Sequence, residues 1–489
     1  MHSIFLSPKQ NIGQDVANHF QIDFDYGTTD DLLELIEELH SNNIKLIFDL
    51  PVNQTSYLHP WFETSKDDKT NPKRNWYIWK NGNKNKKPNN WKSLLKEDCW
   101  QYNVATDDYY YYSTYPFQPD LNFENEEVQN YMLEVLDYWL KLGVDGFKFS
   151  LGFNLFKDFK HDENPFSWNL LNLNGKLPFS INSASKAGKN PFYEKVEQLL
   201  LKYKDKLLIE DKAGNIDQIC LNVNQANIHH NIYNEFSKLK FSAANYAALI
   251  KKIEKNYKEN QVPAYMASSI HLERMFSRTG EVDDIASLIA SLQFTLRGVA
   301  YIYYGEEIGL KNIQPKNSIC KDPALQLKKF KNIGNKSFRS RDASWLPMLW
   351  NYTNHSGFSP IAAATPWLPV HANYRQENVE AHHINKRSIY HIYKKLFHLK
   401  GEEVVLQKGN MNLVNEELLA KNILCFTRNY NGQTITALAN FNKTKASTNI
   451  EVKHNNFIFS NVPGVNNFRS DQSTLELLPF QLNLYKEKF

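Results

Sequence analysis

The first half of the chain alternates apolar runs of strand length with amphipathic stretches of helical period. HSIFLSP near the start reads as a short buried strand. Asp30 to Leu39 carries Leu and Ile at helical spacing, and Ile44 to Leu50 is again an apolar run of strand length. Val128 to Leu142 predicts an amphipathic helix ended by Gly143, and Asp145 to Phe149 a strand. Lys206 to Ile209 and Val299 to Tyr304 read as strands, Tyr193 to Tyr203 and Ile285 to Leu296 as helices. Strand and helix in alternation predict βα units on a parallel sheet, and so many units favour a barrel.

Two segments break the rhythm. Asn53 to Asn122 is rich in Trp, Tyr, Asn, Lys and Pro without a long helical pattern, and reads as an insertion after the strand ending at Leu50. From about Gly401 the helical period stops. Ile423–Thr427, Thr434–Ala439, Asn456–Ser460 and Leu475–Tyr485 predict short antiparallel strands. The expected organisation is a first barrel part over 1–52, an inserted domain over 53–122, a second barrel part over 123–400, and a C-terminal β domain over 401–489. Tyr109 to Tyr112 reads as an edge strand of the insertion with alternate rings buried, ahead of a sugar-stacking platform.

Composition narrows the class. With 42% hydrophobic and 22% charged residues over 489, the chain has the balance of a globular protein of more than one domain. A net charge of +4 with no basic stripe excludes a nucleic-acid binder, and the Lys-rich run Asn81 to Lys87 reads as a solvated loop. No apolar stretch approaches the roughly 18 residues of a membrane span. Cys99, Cys220, Cys320 and Cys425 form no CxxC pair, and the pairs His229-His230 and His382-His383 have no carboxylate at ligand spacing, so neither a metal nor a cofactor is expected.

Several motifs together carry a resemblance. HPWF (59–62), NPKRNWYIW (71–79), PNNW (88–91), QPDLNFEN (118–125), GVDGF (143–147), YYGEEIG (303–309), PMLW (347–350), GFS (357–359), WLPV (367–370) and NVE (378–380) are spread over nearly the whole chain. They resemble the α-amylase superfamily (glycoside hydrolase family 13), in its maltase, oligo-1,6-glucosidase and rBAT-like branch. The resemblance implies a TIM-type (β/α)8 barrel with an inserted B domain and a C-terminal antiparallel β domain. In that family about one βα unit precedes the strand that HSIFLSP resembles, so the barrel expected here lacks its first βα unit.

It also implies chemistry. Family members cleave α-glucosidic bonds with retention, using a carboxylate nucleophile, a carboxylic acid about 5 Å away, and negative charge beside an oxocarbenium-like transition state. The nucleophile position reads Ser150 in GVDGFKFS, with Lys148 where the family has Arg. The acid/base position falls on Asp211, with Glu210 as the alternative one residue away. The stabilising Asp of the family's Asn-His-Asp motif reads His271 in Ser269-Ile270-His271, anchored on Arg274 and Arg278. The sugar pocket has Gln54 for the His of the motif starting at Asp49, and Gln14 for a Tyr beside the retained Asp15. The expected substrate-binding positions are therefore Asp15, Gln14, Gln54, Lys148 and Ile270.

Fold-shaping glycines, prolines and aromatics survive while the chemical groups are replaced. A serine without an adjacent base is a poor nucleophile. Lys148 is left without its usual anionic neighbour, free to attract an acidic ligand or to pair with Asp211. Glu306, Glu307 and Asp145 are expected to be structural. The expectation is an α-glucosidase-like protein without catalysis, holding an α-glucoside or other small sugar weakly or acting as a scaffold for a protein. The alternatives are an α-glucosidase with residual or altered hydrolysis, and the ectodomain of an rBAT-like transporter heavy chain. The family suggests a secreted or extracellular setting, although neither a signal peptide nor an anchor is visible.

Overall fold

The computed structural model describes residues 1–95, 97–150, 155–157, 191–212, 230–233, 235–257, 262–313, 319–326, 340–360, 366–414, 419, 421–450, 457–464 and 475–488. Two compact units divide the chain. The first comprises Met1–Ala213, Leu221–Asn231 and Pro323–Ile333, and the second Gly214–Cys220, Ile232–Asp322 and Gly334–Phe489.

In the first unit, β1 (Phe5–Leu6) pairs antiparallel with β2 (Asn18–Ile22), and α1 (Thr29–Ser41) follows. A reciprocal capping box between Thr28 and Asp31 starts α1. Next come β3 (Ile47–Leu50) and α2 (Pro60–Asp67), then β4 (Trp79–Asn81), β5 (Trp100–Asn103) and β6 (Asp108–Tyr111). The last three form an antiparallel sheet with β6 in the middle. The tyrosine run is thus a central strand and not an edge. Tyr109, Tyr111 and Tyr112 are buried, and Tyr110 packs edge-on to Phe62.

Helix α3 (Glu126–Lys141) begins on the Asn125 side chain, which accepts from Glu127 N, and buries Val128, Met132, Val135, Leu136, Trp139 and Leu140 along one face. Each contributes about 1.5–3 kcal/mol on burial. The chain then enters β7 (Gly146–Ser150), which runs parallel to β3 on one side and to β8 (Leu207–Lys212) on the other. Gly146 is obligatory here, because a Cβ would lie 2.1 Å from the Leu207 carbonyl oxygen. Asp145 clamps the strand starts by accepting from Leu46 N at 2.9 Å and from His40 at 2.7 Å, in keeping with a structural role. Helix α4 (Pro191–Leu200) precedes β8.

Strand β9 (His230–Tyr233) straddles the division. The second unit continues with α5 (Ala243–Asn256), β10 (Val262–Met266), α6 (Met275–Arg278), α7 (Asp283–Thr295) and β11 (Val299–Tyr301). Strands β10 and β11 are parallel, as a βαβ unit requires. After α8 (Val379–Ile384), α9 (Ile389–Glu402) and α10 (Val404–Lys408), strands β12 (Asn410–Leu413), β13 (Ile423–Tyr430) and β14 (Gln433–Asn440) start an antiparallel sheet.

The run predicted as one strand over Leu475–Tyr485 is two. β17 (Leu475–Leu477) pairs with β15 (Ala446–Thr448), whereas β18 (Leu482–Lys488) lies between β14 and β16 (Phe457–Ser460). The break is a turn in which Phe480 takes φ 54° and the Gln481 side chain accepts from Leu478 N at 2.7 Å. Among the described residues no helix is long and apolar enough to cross a membrane.

Candidate functional site

The end of β3 delivers Asp49, almost fully buried, against the neighbouring β7. Lys148 and Ser150 are two residues apart on β7 and so share a face. Both meet the one carboxylate. Ser150 Oγ donates to Asp49 Oδ1 at 2.7 Å, and Lys148 Nζ lies 3.1 Å from Oδ2. His2 Nδ1 reaches the same Oδ2 at 3.2 Å. Burial pushes the Asp49 carboxyl upward, but the Lys148 and His2 charges and the Ser150 hydroxyl outweigh it, and the group is held well below the usual carboxylate range. Lys148 therefore has an anionic neighbour after all, supplied by the adjacent strand.

The loop after β3 is spent on structure. Asn53 Nδ2 donates to Asp120 Oδ2 at 2.8 Å, and the Lys157 ammonium, buried itself, lies 2.9 Å from both Asp120 Oδ2 and Asn53 Oδ1. Ser113 N closes the ring on Asp120 Oδ1 at 2.8 Å. Burial lowers the Lys157 pKa, opposed by the Asp120 charge. Gln54 is buried beside this cluster, and its Oε1 makes no hydrogen bond among the described residues. Gln14 is also buried, with Nε2 3.5 Å from His2 Nε2, which places it at the edge of the Asp49 group. Asp15 holds its own loop, accepting from Gln10 N at 2.9 Å, Asn11 N at 3.1 Å and Ser7 Oγ at 3.1 Å.

On β8 the two acid/base candidates part. Glu210 is fully buried and accepts from the Tyr193 hydroxyl of α4 at 2.8 Å, so it is turned to the helix layer. The Asp211 backbone pairs with Ser150, while its side chain lies outside the described residues.

In the second unit, Ser269, Ile270 and His271 follow β10. His271 is exposed, with its N–H on Ser269 Oγ at 3.2 Å, and Ile270 O accepts from Trp345 Nε1 at 2.8 Å. Arg274 is buried, donating to Tyr304 O at 2.5 Å and Ser344 O at 2.9 Å beside the Tyr303 and Tyr304 rings. Glu306 is buried and raised to about 7 by desolvation, against a hydrogen bond from Ser268 and the Arg274 charge. His382 is half-buried and 3.2 Å from Glu377, so one of the two surface histidines expected there has a carboxylate partner. The pair His229-His230 lies outside what is described at side-chain level.

Comparison with known proteins decides the family. The sequence matches the α-amylase catalytic domain over residues 1–409. The chain belongs to the α-amylase family. It is 27% identical over 487 residues to the oligo-1,6-glucosidase of Parageobacillus thermoglucosidasius, covering 90% of this chain and 82% of that one. It is equally 27% identical, over 471 residues, to the trehalose-6-phosphate hydrolase of Escherichia coli K12, with the same shares covered. The solved structure of an α-glucosyl transfer enzyme superposes with a TM-score of 0.88 at 25% identity, over 100% of this chain and 91% of that one. The fold is thus α/β, of the TIM-barrel type of this family, with a C-terminal antiparallel sheet, and the relatives place it in the α-glucosidase-like branch.

The resemblance singled out Ser150 as the position matching the family's nucleophile, but not the groups that engage it. Asp49 stands in a motif already aligned, and its position at a strand end was the available signal. Nothing in the sequence pointed to His2, or to Lys157 as the buried partner of Asp120.

Proposed function

We propose that this α-amylase family member does not hydrolyse glucosides, and that it acts by binding, as a weak sugar binder or a scaffold for a protein partner. The observation that carries the reading is the Ser150 hydroxyl at the nucleophile position, donating to Asp49. A general base must be able to take the proton. Asp49 is neutralised by Lys148 and His2 and held far below neutrality, so it accepts a hydrogen bond but not a proton. Ser150 therefore stays a hydroxyl. At the stabiliser position, His271 offers no negative charge for a developing cation.

The relatives favour a second reading, since those named above carry the names of hydrolases. Under it, the chain is a retaining α-glucosidase with residual or altered activity through Asp211. Turnover of maltose by the purified chain separates the two. No release of glucose above background supports the binding reading. Release that Ser150→Ala or Asp211→Asn abolishes overturns it.

A further inference from the structure

A cavity of about 640 Å³ opens in the second unit, between the Phe236–Lys238 turn with the start of α5 on one side and α6 with α7 on the other. None of Asp49, Lys148, Ser150 or His271 lines it. Its volume is that of a small-molecule site.

The lining has a definite chemistry. Phe236, Phe241 and Ile289 supply apolar surface. Arg278 shapes one wall by donating to the main-chain oxygens of Glu273, Ser237 and Ala267, and burial lowers its pKa, opposed by the charges of Glu306, Tyr246 and Glu273. Lys240 stands exposed at the lining. The telling group is Tyr246. It is 2% exposed, lines the cavity, and its phenol makes no hydrogen bond to any of the described residues. A ligand hydroxyl would satisfy it.

We propose that this cavity is a binding site for a neutral sugar of one or two rings, separate from the positions that match the family's catalytic residues. A pyranose has an apolar face for the Phe236 and Phe241 side and a rim of hydroxyls that both donate and accept. The cavity offers a phenol that does both, a carboxylate that accepts and an ammonium that donates. Glu273 on one side and Arg278 and Lys240 on the other give the lining both signs of charge, and a polyol can both donate to and accept from them. The inference is independent of whether the chain hydrolyses anything.

The test is calorimetric titration of the intact chain with maltose, alongside hydrogen exchange. Maltose binds saturably and slows exchange in segments 236–246 and 273–279. Tyr246→Phe, which removes only the hydroxyl, weakens binding about five-fold. Leu239→Trp, which fills the cavity, abolishes it. Thermal melting confirms that each variant is folded, and Tyr246→Phe carries the test alone should Leu239→Trp not fold. Absence of saturable maltose binding overturns the site, as does binding that Tyr246→Phe leaves intact or that a folded Leu239→Trp variant retains. Maltose turnover would sink the non-hydrolytic reading and leave this cavity standing, whereas loss of cavity binding would do the reverse.

Discussion

Ser150 donates its hydroxyl hydrogen to Asp49 across two adjacent parallel strands at 2.7 Å. Restoring a carboxylate by Ser150→Asp would set two acids against each other at this contact. One of the pair would then have its pKa raised by the like charge. A raised acid is most stabilising when protonated, so its contribution falls as pH rises. The expected result is a melting temperature below wild type, with the deficit larger at pH 8 than at pH 5, and maltose turnover still at background. Glucose release by this single variant would refute the claim.

Asp49→Asn removes the charge that holds Lys148. Because Lys148 is about a fifth exposed, the loss is discounted from the value for a fully buried pair, to about 2 kcal/mol at pH 7. Asp49 is a depressed acid, so its stabilisation is present above the ordinary carboxylate pKa of about 3.9 and fades as pH falls below it. Urea denaturation of both proteins should show a gap at pH 7 that narrows at pH 3. A gap independent of pH would mean that the charge on Asp49 is not what matters.

Period and motif made the βα order legible, because α1, α3 and α7 keep apolar residues at helical spacing over ten or more positions, with short apolar runs between them as strands. The boundaries they predict lie within a few residues of those observed. The Leu475–Tyr485 run misled because its apolar pattern continues through a turn that only Phe480 and Gln481 mark. The tyrosine run misled for a different reason. Whether a strand is central or at an edge depends on its partners, here β4 and β5, and not on its own sequence. At the site, Ser150 and His271 could be read off as single letters where the resemblance expects carboxylates. The Asp49 cluster joins residues 2, 49, 148 and 150, and such long-range juxtaposition has no local signature.

The buried Lys157–Asp120 pair makes a further test. Lys157→Met leaves the Asp120 charge with Asn53 and Ser113 but without a cation, at a cost of about 3–5 kcal/mol. Adding Asp120→Asn removes the stranded charge, so the double variant should recover part of the loss. Chemical denaturation measures both. A double variant as unstable as the sum of the two single ones would show that the residues are not coupled.

Glu306 should leave a pH signature of the opposite sign to Asp49. Its carboxyl is raised from 4.5 to about 7 by burial, with Ser268 and Arg274 opposing and Glu307 adding to the rise. Between these two values the folded chain binds more protons at this group than the unfolded chain does. Stability from Glu306 is therefore whole below about pH 4.5 and declines until the group ionises near 7. Glu306→Gln keeps the shape and removes the ionisation. The variant should lose the fall in stability between pH 5 and 7.5 that the wild type shows, and at pH 8 it should be the more stable of the two by about 2 kcal/mol. Denaturation midpoints across this range decide the matter. Parallel curves for the two proteins would show that Glu306 is already ionised in the folded chain at pH 5, its burial offset by Arg274.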